Sequence, residues 1–255
     1  MNKFISGGVA ASILFAAGVA MPVARAESET ASPVSANVSL TSDYRFRGIS
    51  QNNLNPAIQG GFDYAAGPFY LGTWASNVSW LTDGSSTVSN SMEMDFYGGY
   101  TGSAGGIEYD VGLLYYYYPG EFPASFNSAD TLELYAGGSW NGFSLKYSYA
   151  ATDLFGFDES DGAGYIDLGY EMELSGFTIG AHIGNQQIPS GAGRASSDCS
   201  YTDWSLTGGT SLGGFDLSLA YIDTNAKTGA GECYRNAFNE ELGKGTLVLT
   251  AGRSF

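Results

Sequence analysis

The chain has 255 residues, among them 37 glycines, with 15% aromatic and only 14% charged residues. That is too aromatic for a disordered chain and too poor in charge for an ordinary soluble enzyme. The formal net charge of −16 removes nucleic acid from the partners, because phosphate binding needs a basic face, and leaves cations as the small partners to consider.

Residues 1–26 read as a cleavable signal peptide, with Lys3 as the charged start, a broken apolar stretch, and Ala24-Arg25-Ala26 as the A-x-A site. The alternative, a membrane anchor helix, is opposed by the glycines, by Pro22 and by the lack of a second long apolar run. Cleavage after Ala26 removes Lys3 and Arg25 and no acid, so residues 27–255 form a more acidic, exported domain.

From residue 35 onward apolar and polar residues alternate with period two in about twelve segments. They fall near 36–46, 56–65, 69–78, 91–102, 106–118, 129–138, 143–151, 163–174, 177–185, 201–212, 215–223 and 246–255, and none has helical spacing. Five connections are tight and marked by glycine: "AAGPF", "GSAGGI", "SWNGF", "LSGF" and "LGGF". They alternate strictly with six longer polar ones: "GISQNNLNP", "LTDGSSTVSN", "PGEFPASFNSA", "TDLFGFDESDGAG", "QQIPSGAGRASSDCS" and "TNAKTGAGECYRNAFNEELGK". A meander of this kind puts every tight turn at one end, as in a transmembrane antiparallel up-and-down β-barrel with periplasmic turns and extracellular loops.

Parity agrees with this reading. A two-residue turn at Ser175-Gly176 pairs Glu173 with Thr178 and Glu171 with Gly180, which keeps the polar set on one face. Aromatic placement separates a membrane barrel from a soluble sandwich. Phe69, Phe143, Phe177 and Phe215 directly follow tight turns on the apolar face, and Phe255 ends its strand at the same level. Tyr44, Phe46, Tyr115, Tyr117, Tyr149, Trp204 and Tyr221 lie toward the other rim. Two belts around a band of Leu, Val, Ile, Ala and Gly describe a wall facing outer-membrane lipid. A C-terminal aromatic such as Phe255 also resembles the signal read by the barrel-assembly machinery, although Arg253 replaces the usual apolar residue two positions earlier.

The inward polar face carries twelve acids. Asp43, Asp63, Glu93, Asp95, Glu108 and Asp110 come from the first five segments, and Glu133, Asp167, Glu171, Glu173, Asp203 and Asp216 from the rest. Arg45, Lys146 and His182 share that face. A water-filled interior of this kind concentrates cations. Alternatively the carboxylates bond neighbouring Tyr, Ser and Thr and fill the barrel. Inward Tyr70, Trp74, Tyr97, Tyr116, Tyr135 and Tyr165 narrow the lumen, while Gly61, Gly72, Gly99, Gly112, Gly169, Gly180, Gly184 and Gly209 reopen it. About twelve strands lie between a filled eight-stranded barrel and an open porin. Cys199 and Cys233, one in each of the last two long loops, are expected to form a disulfide in an oxidising periplasm, with two free thiols as the alternative.

The blocks "ANVSLTSDYRFRGISQNNLNPAIQGGFDY", "LGTWASNVSW", "EMDFYGGY", "YDVGLLYYYYPG", "LELYAGG", "SLKYSYAATD" and "GGFDLSLAYIDT" resemble the TorF family of proteobacterial outer-membrane porins, also known as Gcw_chp proteins of unknown function. The resemblance covers nearly the whole exported chain. It implies a barrel in the outer membrane of a Gram-negative bacterium and passive transport of small solutes, and it carries no site residues.

The expected function is therefore a porin-like channel for small, preferentially cationic solutes. A filled barrel acting in surface structure or adhesion is the runner-up, and a lipid-modifying enzyme ranks below it. Nucleophilic catalysis needs a base oriented by a third group, and His182 is the only histidine. The stretch "DESDGAG" lacks the full ligand series of a calcium loop. No cofactor and no metal site are expected.

Overall fold

The computed structural model describes residues 32–124, 126–189 and 199–255. The segment read as a signal peptide, and residues 190–198 of the fifth long loop, lie outside them.

Twelve strands form one closed antiparallel barrel. They are β1 (Val34–Thr41), β4 (Ala57–Ala66), β5 (Phe69–Asn77), β6 (Met92–Ala104), β7 (Ile107–Tyr117), β8 (Thr131–Trp140), β9 (Phe143–Ala150), β10 (Gly164–Leu174), β11 (Phe177–Gln187), β12 (Tyr201–Leu212), β13 (Phe215–Thr224) and β14 (Thr246–Ser254). Each strand pairs with its neighbour in sequence, and β1 closes the ring on β14. At that seam the Phe255 N–H donates to the Ala36 carbonyl at 2.8 Å, and the Ala36 N–H donates back at 3.1 Å. Every strand of the ring is thus paired on both sides, which is how a sheet satisfies its backbone in a lipid environment.

The tight turns explain the register. Asn141-Gly142, Ser175-Gly176, Gly105-Gly106 and Gly213-Gly214 all have positive φ at both central residues, as type I′ turns require. In the fifth turn only Gly67 is positive, and Pro68 follows. Across Ser175-Gly176 the register is Glu173 to Thr178 and Glu171 to Gly180, as parity predicts.

The two faces of the wall differ as lipid and lumen demand. Leu71, Leu206 and Leu249 stand outward, each more than half exposed, and Phe69, Phe143, Phe177, Phe215 and Phe255 ring the tight-turn end. Arg253 lies over the Phe215 and Phe255 rings at 5.7 and 5.3 Å, keeping its apolar stem on the wall while its charge reaches the rim. The buried core lies inside the ring, in the loop-end half, around Tyr97, Leu114, Tyr116 and Tyr118.

Two features depart from the sequence reading. The first alternating segment, expected to run to residue 46, stops as a barrel strand at Thr41. The chain then folds inward, and β2 (Arg45–Phe46) and β3 (Ile49–Ser50) pair as a small hairpin of their own. Tyr44 and Phe46 therefore belong to the interior and not to the outer aromatic belt: Tyr44 is 2% exposed, and Phe46 packs edge-on against Tyr116 and Phe155. Alternation continued through this stretch because both of its environments are two-sided, so period two could not distinguish wall from hairpin. The second feature is one turn of helix, α1 (Trp80–Gly84), in the second long loop, with Leu81 buried against the core. Five residues are too few for a helical period to register.

Candidate functional site

The lumen is organised from the loop end downward by the inward hairpin. Arg45 donates from Nε to Asp43 at 2.7 Å and from Nη1 to the carbonyls of Gly48 and Lys244. Ser50 takes the other oxygen of Asp43. Arg47, in the left-handed region at φ 47°, reaches across the barrel. Its Nη2 donates to both oxygens of Glu133 on β8 at 2.9 and 2.8 Å, and its Nη1 donates to Gln186 on β11 at 2.6 Å. Its guanidinium also lies over the Phe46 and Tyr165 rings at 4.7 and 4.2 Å. A planar fork with fixed donors suits this bidentate, stacked arrangement, which a lysine could not reproduce.

Below the hairpin lies a cavity of about 130 Å³, ample for several waters. Arg47 and Gly48 form its roof, and Lys146, Asp167, Glu171, His182, Asp203 and Asp216 contribute to its lining with Ser144, Ser205, Thr207 and Gly180. His182 stands between two carboxylates, with Nδ1 3.0 Å from Asp167 and Nε2 2.7 Å from Asp203. An imidazole serves two carboxylates at once only as the doubly protonated cation, which donates from both nitrogens. Tyr165 adds a hydroxyl to Asp203 at 3.1 Å.

The other side of the lumen is filled. Glu93 accepts hydrogen bonds from Tyr44 and Tyr118, Asp63 from Tyr97, and Asp110 from Tyr70, whose hydroxyl also meets that of Tyr135. Gly72, Gly99 and Gly112 face inward as expected, but Tyr97, Tyr70 and Tyr135 lie directly opposite them in register, and any Cβ there would strike the phenol. These glycines seat the tyrosines and do not widen the passage.

The acids of the inner face thus fall into distinct groups. Asp43, Glu133, Asp167 and Asp203 meet cationic side chains. Glu93, Asp63 and Asp110 are held by tyrosines. Glu173 and Asp216, near the tight-turn mouth, accept from Thr178 and Ser211. Asp95 is 2% exposed with one oxygen lacking a hydrogen-bond partner among the described residues. Glu108 is partly buried on β7 near the same mouth, and Glu171 is exposed within the lumen. Lys146, partly buried on β9, holds its ammonium 4.1 Å from the Tyr135 ring centroid.

Arg47, Gln186, Tyr44 and Tyr118 went unread as site residues in the sequence. The stretch "YRFRG" carried a signal for Arg47, since it shares parity with Arg45.

Above the lumen, Cys199 and Cys233 form a disulfide with a Cα–Cα distance of 5.5 Å, inside the usual range. It ties the segment before β12 to the β13–β14 loop, where Tyr234 donates to the Cys199 carbonyl and packs edge-on against Tyr201. Among the described residues no group of His, Cys, Asp or Glu is arranged to hold a metal ion.

Among solved structures, a membrane protein from a study of in-meso crystallization is similar, with a TM-score of 0.50 and 8% identity over 87% of this chain and 83% of that one. The KdgM porin in complex with disordered oligogalacturonate gives a TM-score of 0.46 at 8% identity, covering 87% of this chain and 97% of its own. Omp33 of Acinetobacter baumannii gives 0.45 at 10% identity, covering 88% and 98%. At these identities the likeness concerns the fold alone. No curated protein matches the chain. The family described as bacterial protein of unknown function (Gcw_chp) matches residues 25–255. That span takes in every strand of the barrel and the inward hairpin, and the chain belongs to the Gcw_chp family.

Proposed function

We propose that this protein is a narrow outer-membrane channel for passive diffusion of small solutes, with a weak preference for cations. The observation that carries the reading is a cavity with charged and hydroxyl side chains in its lining, inside a ring with an apolar exterior. Cation preference follows from the acids that keep no cationic partner, chiefly Glu171, Glu173 and Asp216 toward the tight-turn mouth. Pairing of Asp43, Glu133, Asp167 and Asp203 with Arg45, Arg47 and His182 makes the preference weaker than the bare count of acids suggests. An enzymatic role draws no support from His182, because both of its ring nitrogens are committed to carboxylates and neither is left to activate a nucleophile. Phe255, 70% exposed at the seam, stands where assembly machinery could read it.

A second reading, a filled barrel with a structural or adhesive role, is favoured by the hairpin roof and the tyrosine-packed side. Planar-bilayer recording separates the two. The channel reading expects ohmic currents and a reversal potential leaning toward cations in a salt gradient, reduced in Glu171→Gln. Silence from both the wild type and an Arg47→Ala variant gives the second reading.

A further inference from the structure

The inward hairpin is held from two directions. Arg47 grips the walls, and the β13–β14 loop, residues 225–245, holds it from the loop end. The Ser50 N–H donates to the Leu242 carbonyl at 3.0 Å, Arg45 Nη1 donates to the Lys244 carbonyl at 3.0 Å, and the Asn236 amide donates to Asn53 at 2.6 Å. Gly243 approaches Ile49 so closely that a Cβ there would lie 3.1 Å from its Cδ1. The hairpin needs such support. Asn53 and Leu54, like Arg47, have positive φ, at 51° and 60°, and non-glycine residues keep that conformation only where their surroundings hold it.

The holding loop is itself irregular, apart from a single bridge between Arg235 and Glu241. A connection of that length without strand or helix stays in place only when something ties it down. The Cys199–Cys233 disulfide does so, fastening the middle of the loop to the start of β12. Tyr234 passes the restraint on. Its hydroxyl donates to the Cys199 carbonyl, and its own carbonyl accepts from the Leu242 N–H at 3.0 Å, the same residue whose carbonyl holds Ser50. A covalent and hydrogen-bonded line thus runs from the barrel wall through the disulfide to the hairpin.

We propose that the β13–β14 loop is a clasp on the hairpin and the disulfide its pin, so that reduction by a thiol frees the hairpin to swing out of the bore more often and raises the current. Because Arg47 and Gly48 roof the cavity, such movement opens the bore toward the loop end. The inference rests on the channel reading, since the bore must conduct for its width to matter. A dithiol supplies the two electrons. Its first thiolate attacks Sγ of Cys233, the partly exposed partner, and buried Cys199 leaves as a thiolate; its second thiolate then displaces Cys233 and closes the reagent's own disulfide.

Planar-bilayer recording of the full chain before and after dithiothreitol tests the gate. Deuterium exchange of residues 42–56, followed by mass spectrometry, tests the clasp without reference to conduction. Reduction should raise the current several-fold and speed hairpin exchange several-fold, with β10 and β11 unchanged. Cys199→Ser with Cys233→Ser should show the raised values from the start and no response to dithiothreitol. Reduction of the already folded wild type carries the test if that variant does not assemble. Adding Asn53→Cys and Asn236→Cys to the serine variant, joined by a short thiol cross-linker, should restore the low current. The proposal is overturned if a conducting barrel loses the disulfide, verified by thiol alkylation, with current or hairpin exchange unmoved, or if the cross-link leaves the current high. Faster hairpin exchange in a barrel that never conducts overturns the channel reading alone, and silence with unmoved exchange overturns both.

Discussion

On the β4–β8 side of the lumen Gly72, Gly99 and Gly112 each carry a tyrosine ring; on the β9–β13 side Gly184 likewise lies against Tyr165, but Gly180 and Gly209 meet only ordinary van der Waals contacts at 3.5 Å or more. Both sides use the same residue with the same parity, so the difference lies in what stands opposite. A tyrosine laid on a glycine recovers the packing a bare backbone would lose, and Tyr97 and Tyr70 point their hydroxyls at the lumen carboxylates Asp63 and Asp110. Where small polar residues such as Ser144 and Thr207 take that place, a cavity remains. One barrel therefore holds a rigid, filled wall and an accessible one, with the Arg47 arm spanning both.

Substitutions can break or sharpen this contrast. The largest effect is expected from Arg47→Ala, which strands Glu133 as a buried, unpaired charge at a cost of about 3–5 kcal/mol. Urea unfolding in detergent should record the loss, and single-channel conductance should rise several-fold as the roof loosens. Outside both halves, Leu168→Arg places a charge on the lipid face and should cost about 2–4 kcal/mol if it lies near mid-membrane, measurable as failed or delayed insertion into vesicles. On the filled side Tyr97→Phe removes the donor to Asp63 and should cost about 1–3 kcal/mol, with little change in conductance. Gly99→Ala drives a methyl against Tyr70 and the Val111 carbonyl, an overpacking worth about 1–3 kcal/mol. Gly180→Ala, whose nearest neighbours are 3.9 and 4.0 Å away, should stay within about 0.5 kcal/mol. If thermal melts show Gly99→Ala and Gly180→Ala to be equally costly, the two sides are not different in packing.

The barrel was legible in the sequence because alternation, turn chemistry and loop lengths all obey local rules. Ser175-Gly176 dictates the pairing of Glu173 with Thr178 from four residues of context. The Tyr97–Gly72, Tyr70–Gly99 and Tyr135–Gly112 pairs were not legible, since each crosses a long loop. There no turn fixes the register, and a shift by two residues preserves parity while changing every partner. The hairpin escaped for a related reason. Residues 42–46 alternate as a strand would, the polar residues after them read as a loop, and only the distant acceptors Glu133 and Gln186 give Arg47 its place.

The reach of Arg47 has a mechanical consequence. A ring of hydrogen-bonded strands resists being stretched around its circumference, yet nothing in that ring opposes flattening into an ellipse. The hairpin springs from the β1–β4 seam, and its guanidinium is fastened to β8 and β11, on either side of the opposite pole. It crosses the bore like a tie-rod, so those walls cannot part from the hairpin along that line without breaking its hydrogen bonds.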